Sequence, residues 1–262
     1  NSMGLLAAGL AFTSTIGSAY AAVSIGSYYV RPYIEVGGGA TIDGYVANGP
    51  TSSSQNFGTD FSTSVDLASG TVKAYEKLVG TNQSGQAGGT FGDSVFFDSS
   101  ALGTNATFSF NYDGTISSDA ALPGASTLQF GAFVNLFVYE AGSGATYENF
   151  GNAAFDAYKV VGQSKFINFT NPQEDFYQAI NDSLSGTFTI DGSGAYDIFA
   201  GLTLFAVTND NPVTVEMDFS HTATLGIQTD PGVDFTSASG VLLTAEQGGV
   251  PEPTTWAMMI LG

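Results

Sequence analysis

Along much of this 262-residue chain, apolar side chains recur at every second position, and turn dipeptides cut each run short. Val213, Val215, Met217 and Phe219 alternate with Thr214, Glu216, Asp218 and Ser220. Phe108, Phe110 and Tyr112 alternate with Thr107, Ser109 and Asn111, and Phe188 and Ile190 lie among Thr187, Thr189 and Asp191. A period of two sends successive side chains to opposite faces of a strand, so one face is apolar and the other polar. Two further runs, 128–139 and 195–207, are apolar nearly throughout, the pattern of strands buried on both faces. Asp43-Gly44, Asn48-Gly49-Pro50, Asp113-Gly114, Pro123-Gly124, Asp191-Gly192 and Pro231-Gly232 punctuate the runs. Such pairs favour tight turns, because glycine readily takes the positive φ that many of them require. Residues 22–249 are therefore expected to form one all-β body, an antiparallel β-sandwich or jelly-roll-like domain of roughly ten or more strands. Neither an internal repeat nor a linker divides it.

Three stretches depart from this pattern. Between Asn149 and Ser185 the spacing loosens, and Asn171-Pro172 offers a helix start with Glu174 and Asp175 in the first turn. Phe176, Tyr177, Ile180 and Leu184 follow at three-to-four spacing, so one short helix insert is expected from about Gln173 to Ser183. The polar stretches Ala47–Ser64 and Gly80–Gly92 read as long surface loops.

Charge and composition exclude several functions. Five Lys and Arg stand against 24 Asp and Glu, a formal net charge of −19. A phosphate backbone would be repelled, which excludes nucleic acid as a partner. With no Cys there is no disulfide framework, thiolate metal site or cysteine nucleophile, and a single His excludes a two-His metal centre.

Both ends read as addresses. An apolar run from Met3 to Phe12 leads through small polar residues to Ala19-Tyr20-Ala21, an A-x-A cleavage pattern. Residues 1–21 are expected to be a partial signal peptide, cleaved at Ala19 and Ala21, without its basic start. At the other end a glycine-rich hinge meets Val250-Pro251-Glu252-Pro253, and an apolar run opens at Trp256 and continues through Met258 and Ile260. The prolines hold the backbone extended, a form suited to recognition by a processing enzyme.

Residues 250–262 resemble the C-terminal sorting signal of the bacterial PEP-CTERM proteins, in a form like that of sphingomonad members. In that family the Pro-Glu-Pro box precedes a transmembrane helix and a basic cluster. Here the helix is only begun, so the sequence is expected to be truncated at both ends. The resemblance extends upstream. Asp218-Phe219-Ser220-His221-Thr222-Ala223-Thr224-Leu225 and Gly232–Leu243 look like the closing "DF-x-HTA-x-L" strand and "GV-x-FTSASGV" hairpin of many such ectodomains. It implies a Gram-negative exported protein, anchored transiently in the inner membrane. Its partner there would be an exosortase that reads Val250, Pro251, Glu252 and Pro253. The product would belong to the cell surface or an exopolysaccharide matrix.

Candidate chemistry is sparse, and no catalytic residue is expected. His221 lies three positions from Asp218 on a strand, so the two point to opposite faces, and there is no Gly-x-Ser-x-Gly elbow. Asp191, Asp197 and Asp210 lie at or near turns, where carboxylates and carbonyls can collect around Ca²⁺, though solvated turn residues are the plainer reading. No other cofactor is implied. Tyr28, Tyr29 and Tyr33 cluster beside Arg31, a grouping that fits strand pairing or stacking on sugar rings. The sequence thus favours a non-enzymatic exported surface or matrix protein. The alternatives are a lectin-like carbohydrate-binding module, with or without Ca²⁺, that meets extracellular polysaccharide, and, less favoured, a jelly-roll hydrolase.

Overall fold

The computed structural model describes residues 27–37, 40–119, 128–146, 148–170, 172, 175–208 and 213–243. The signal segment with Ala19 and Ala21, the sorting box 250–253, Trp256, Met258 and Ile260 lie outside the described residues, as does Asp210. In chain order the strands are β1 (Tyr28–Val36), β2 (Ala40–Asp43), β3 (Val46–Ala47), β4 (Ser52–Phe57), β5 (Phe61–Asp66), β6 (Thr71–Gly80) and β7 (Ser84–Phe97). They continue as β8 (Asn105–Ser118), β9 (Gln129–Glu140), β10 (Lys159–Thr170), β11 (Phe176–Thr189), β12 (Ala195–Val207), β13 (Val213–Thr229) and β14 (Phe235–Ser237). The front sheet has the order β10-β9-β12-β7-β1-β2, with β14 added to β7 and β3 to β1. The back sheet has the order β11-β8-β13-β6-β5-β4. Neighbouring strands are antiparallel, and the two sheets pack face to face as a sandwich.

The alternation builds the core. Phe108, Phe110 and Tyr112 on β8 and Val215, Met217 and Phe219 on β13 point inward from the back sheet. They meet Phe130, Ala132, Val134, Leu136 and Val138 of β9 and Ile198, Leu202 and Leu204 of β12. Phe91 and Phe110 touch edge to face across the sandwich at 6.4 Å between centroids. The two continuous apolar runs are indeed interior strands: β9 and β12 pair on both sides within the front sheet.

Of the helix expected over 173–183, residues 176–183 form strand instead. Residues 176–189 are β11, registered without a break against all of β8 from Phe176–Ser118 to Thr189–Asn105. Phe176, Ile180, Leu184 and Phe188 recur every four residues, a spacing that suits one face of a helix and every second inward place of a strand equally well. The fourteen-residue partner β8 decides between them. Helical geometry among the described residues is confined to two 3₁₀ turns, Ser99–Ala101 and Ala153–Tyr158.

Both supposed loops are also sheet. Most of 47–64 is β4 and the start of β5, and 80–92 is largely β7, the central strand of the front sheet. Its glycines are spacers for neighbours. A Cβ on Gly92 would stand 2.4 Å from the Tyr29 ring, and one on Gly89 would stand 2.4 Å from Val65 of the opposite sheet.

Asp113-Gly114, expected as a turn, is mid-strand in β8. Gly114 lies opposite a bulge in β13, where the register slips between Asp218 and Thr222. A Cβ there would come within 2.6 Å of both the Asp218 carbonyl and the Phe219 ring. The bulge settles His221. Met217, Phe219 and Ala223 face inward, so unbroken alternation would bury the imidazole, but the bulge leaves it exposed. Downstream, the expected closing hairpin is one short strand and a turn. Segment 235–243 docks on β7, Asp93 accepts from Ser239 N (3.2 Å) and Oγ (2.5 Å), and Leu242 and Leu243 are buried.

Candidate functional site

The outer face of the front sheet is unusual for a solvent-side surface, because aromatic rings occupy it. The register places Tyr29, Phe199, Phe137 and Gly162 in one row across the strands. The next rows hold Arg31, Thr90, Gly201, Asn135 and Ser164, then Tyr33, Gly88, Thr203, Phe133 and Phe166. Beyond them run Glu35, Gln86, Phe205, Gly131 and Asn168.

The connection 141–158 covers one end of this face. Phe150 stacks on Phe199 at 5.3 Å, and Phe155 meets the edge of Tyr139 at 6.3 Å. With Tyr29, Tyr45, Phe137 and Ala145 these rings form a second apolar cluster outside the sandwich. Local polar bonds shape the connection. Asn149 Oδ1 accepts from Thr146 N at 2.6 Å, Asn152 caps the 3₁₀ turn through Ala154 N, and Gly151 N donates to Tyr139 Oη at 2.8 Å.

The rest of the face is open. Phe133 is 40% and Phe166 56% exposed, and they touch edge to face at 6.2 Å. Phe166 reaches across the glycine row to stack on Phe205 at 5.4 Å and 10°. At the far side Tyr33 spans Gly88 to share a 2.5 Å hydrogen bond with Thr203 Oγ1, and burial pushes its phenol up to about 12. Arg31 lies 5.4 Å from the centroid of Tyr33 and binds both oxygens of Asp43, at 3.0 and 3.1 Å. The face therefore offers rings at both ends and hydroxyl and amide groups between them. That arrangement can stack on the apolar face of a sugar ring and hydrogen-bond its hydroxyls.

The predicted residues go elsewhere. Asp191 closes its own turn, accepting from Ser193 N and Oγ and from Tyr196 Oη, and the Ser193 hydroxyl above all holds its carboxyl below the usual range. Asp197 lies on the covered end of the front face, buried, with Ser94 Oγ donating to it at 2.6 Å; burial raises its pKa. Among the described residues no three His, Cys, Asp or Glu side chains gather as a metal ligand set. Of the tyrosine cluster, Tyr29 is buried, Tyr28 donates to the Gly49 carbonyl, and Tyr33 alone joins the open face.

Two features escaped the sequence. The pair Phe133 and Phe166 is one, since strand phenylalanines are ordinarily core. The other is Glu76, fully buried on the inner face of β6 with neither carboxylate oxygen hydrogen-bonded. Burial lifts its pKa to about 8, against a smaller opposing pull from the backbone of Ala87 and Ala206. Its carboxyl lies under Gly85, where a Cβ would come within 2.9 Å of Oε1. No helix among the described residues is long and apolar enough to cross a membrane.

Comparison with protein-family models gives no match, and comparison with curated proteins gives none either. Among solved structures, one from a study of the promiscuous specificity of carbohydrate-binding modules of the β-sandwich superfamily aligns with 80% of this chain and 95% of its own. Identity is 10% and the TM-score 0.20, a likeness too shallow to speak to function.

Proposed function

We propose that this chain is an exported, non-enzymatic surface or matrix protein whose sandwich binds polysaccharide on the open face of the front sheet. One observation carries the binding part: Phe133 and Phe166 stand exposed beside Thr203, Gln86 and Asn168 on an otherwise ordered sheet face. Burying a phenylalanine is worth about 1.5–3 kcal/mol, so the ring area these two leave in water is stabilisation the fold does not use and a ligand can. The face is proposed as a binder rather than a catalyst. Of its carboxylates, Asp43 is committed to Arg31. The export part rests on the resemblance of 250–262 to an exosortase signal.

A glycan array probed with and without chelator tests the binding part. Signal on polysaccharides that falls at least tenfold in the Phe133→Ala/Phe166→Ala variant is expected. No glycan signal under either condition would sink it. Sensitivity to chelator would instead bring Ca²⁺ into the binding step. The sorting part is tested by expression in hosts with and without an exosortase: a mass shift that needs the enzyme and is abolished by Glu252→Ala is expected, and identical masses in both hosts would overturn it.

A further inference from the structure

We infer that the open face takes an uncharged, extended glycan lying across the strands from Phe166 to Tyr33, and does not take an acidic one. This rests on the reading of that face as a polysaccharide site and names its substrate class.

The argument comes from where the cations are. The chain has five Lys and Arg in all. Four are in ion pairs: Arg31 with Asp43 at 3.0 Å, Lys77 with Glu216 at 3.3 Å, Lys165 with Asp182 at 3.7 Å, and Lys159 with Asp156. The fifth, Lys73, points outward from the back sheet, on the opposite side of the molecule. Two of them stand on the outer side of the front sheet: Arg31, whose guanidinium is held by both carboxylate oxygens of Asp43, and Lys159, which lies 6.0 Å from the Phe137 centroid at the covered end and is paired with Asp156. Glu35 and the overall charge of −19 add repulsion. A uronate or sulfate group would meet no available cation and a negative field. Stacking and neutral hydrogen bonds carry no such penalty. The same field opposes pairing of two copies through this face, so the exposed rings are better matched to a neutral glycan than to a second chain.

The shape sets the length. Phe166 and Tyr33 stand on strands four spacings apart, about 19 Å at roughly 4.8 Å per strand. Between those strands the rings lean toward each other, Phe166 onto Phe205 and Tyr33 across Gly88 to Thr203, with Phe133 in the same row, and they form one ledge that crosses the strands. An extended oligosaccharide fills that span, and a single sugar does not.

Native affinity electrophoresis tests this with the full chain in gels containing a neutral glucan, xylan or galactomannan, or alginate or polygalacturonate, with and without Ca²⁺. Retardation by at least one neutral polymer is expected, with none by the acidic polymers. Binding should be insensitive to salt and should tighten with oligosaccharide length until the span is filled. Phe166→Ala and Phe133→Ala should each weaken it about tenfold while urea midpoints stay near that of the wild type. Thr203→Val, which removes the hydroxyl bonded to Tyr33, should give a smaller loss. Preferential retention by an acidic polymer, weakened by salt and by the Phe variants, would overturn the uncharged class and leave the face standing. Binding that ignores both Phe variants, or no binding to any polymer, would remove the face itself. A wild-type dimer that Phe166→Ala renders monomeric would assign the rings to self-association and overturn the proposal.

Discussion

The two sheets are alike inside and opposite outside. Each commits alternate side chains to a shared core, yet the front sheet shows water Phe133 and Phe166 in contact with each other, while the back sheet shows it mostly serine, threonine and charge, with Val79 and Tyr177 exposed singly on β6 and β11. Across β4, β5 and β6 an open groove of about 580 Å³ is lined by Ser52, Ser54, Ser64, Asp66, Thr71 and Lys73. Period-two alternation explains the inner faces apart from Glu76, since a sandwich needs two apolar faces and no more. It places no demand on the outer ones. The back sheet follows the ordinary solution, a largely hydrophilic exterior with apolar side chains scattered singly. The front sheet departs from it, and a departure that folding does not require is where ligand chemistry belongs.

The largest effect that would sharpen this contrast is on the inner side. Phe110→Ala should cost about 3–5 kcal/mol in urea denaturation, because the ring is fully buried against Phe91. Phe166→Ala on the outer face should cost less than about 1 kcal/mol. Equal losses would mean that the front face is structural and the contrast false.

Glu76 is the exception within the inner face, and it makes stability depend on pH. Its folded pKa is about 8 against an ordinary 4.5. Between those values the folded chain keeps a proton that the unfolded chain releases, so stability falls as pH rises through this window and levels above it. The slope approaches 1.4 kcal/mol per pH unit, on the order of the full linkage for one proton. Asp93, raised to about 6 by burial, adds a slope of the same sign at the acid end. Urea midpoints followed from pH 5 to 9, roughly the range where one carboxyl dominates, should flatten in Glu76→Gln above pH 6. Parallel curves for the two proteins would refute the assignment.

Tyr139→Phe removes the acceptor of the Gly151 amide and should loosen the 141–158 cover by about 1 kcal/mol, read as faster amide exchange at Gly151. The smallest change belongs to the polar face. Ser54→Ala with Ser64→Ala should alter stability by no more than about 0.5 kcal/mol and leave glycan retention untouched. Loss of retention there would move the binding site to the back sheet.

Much of the architecture is readable from the chain. The alternations at 107–112 and 213–219 and the apolar runs at 128–139 and 195–207 are strands, and the turns at Asn48-Gly49, Asp191-Gly192 and Pro231-Gly232 fall between elements. The readings that failed did so for one kind of reason. The four-residue spacing of Phe176, Ile180, Leu184 and Phe188 does not separate helix from strand until β8 lies alongside. The glycines of β7 and Gly114 resemble turn residues until Tyr29, Val65 and the β13 bulge are seen to need the room. The open face was illegible because phenylalanine in a strand reads as core on either side.

The sequence by itself determined the class of this protein: all-β, antiparallel, cysteine-free and strongly acidic. These follow from local geometry and composition, which act residue by residue. Only the tertiary structure decided which face each strand turns to the core, which glycines are spacers, and that Phe133, Phe166 and Tyr33 share one open surface. Those facts depend on pairing between segments far apart in sequence, and period-two alternation is blind to which of its two sides will be covered.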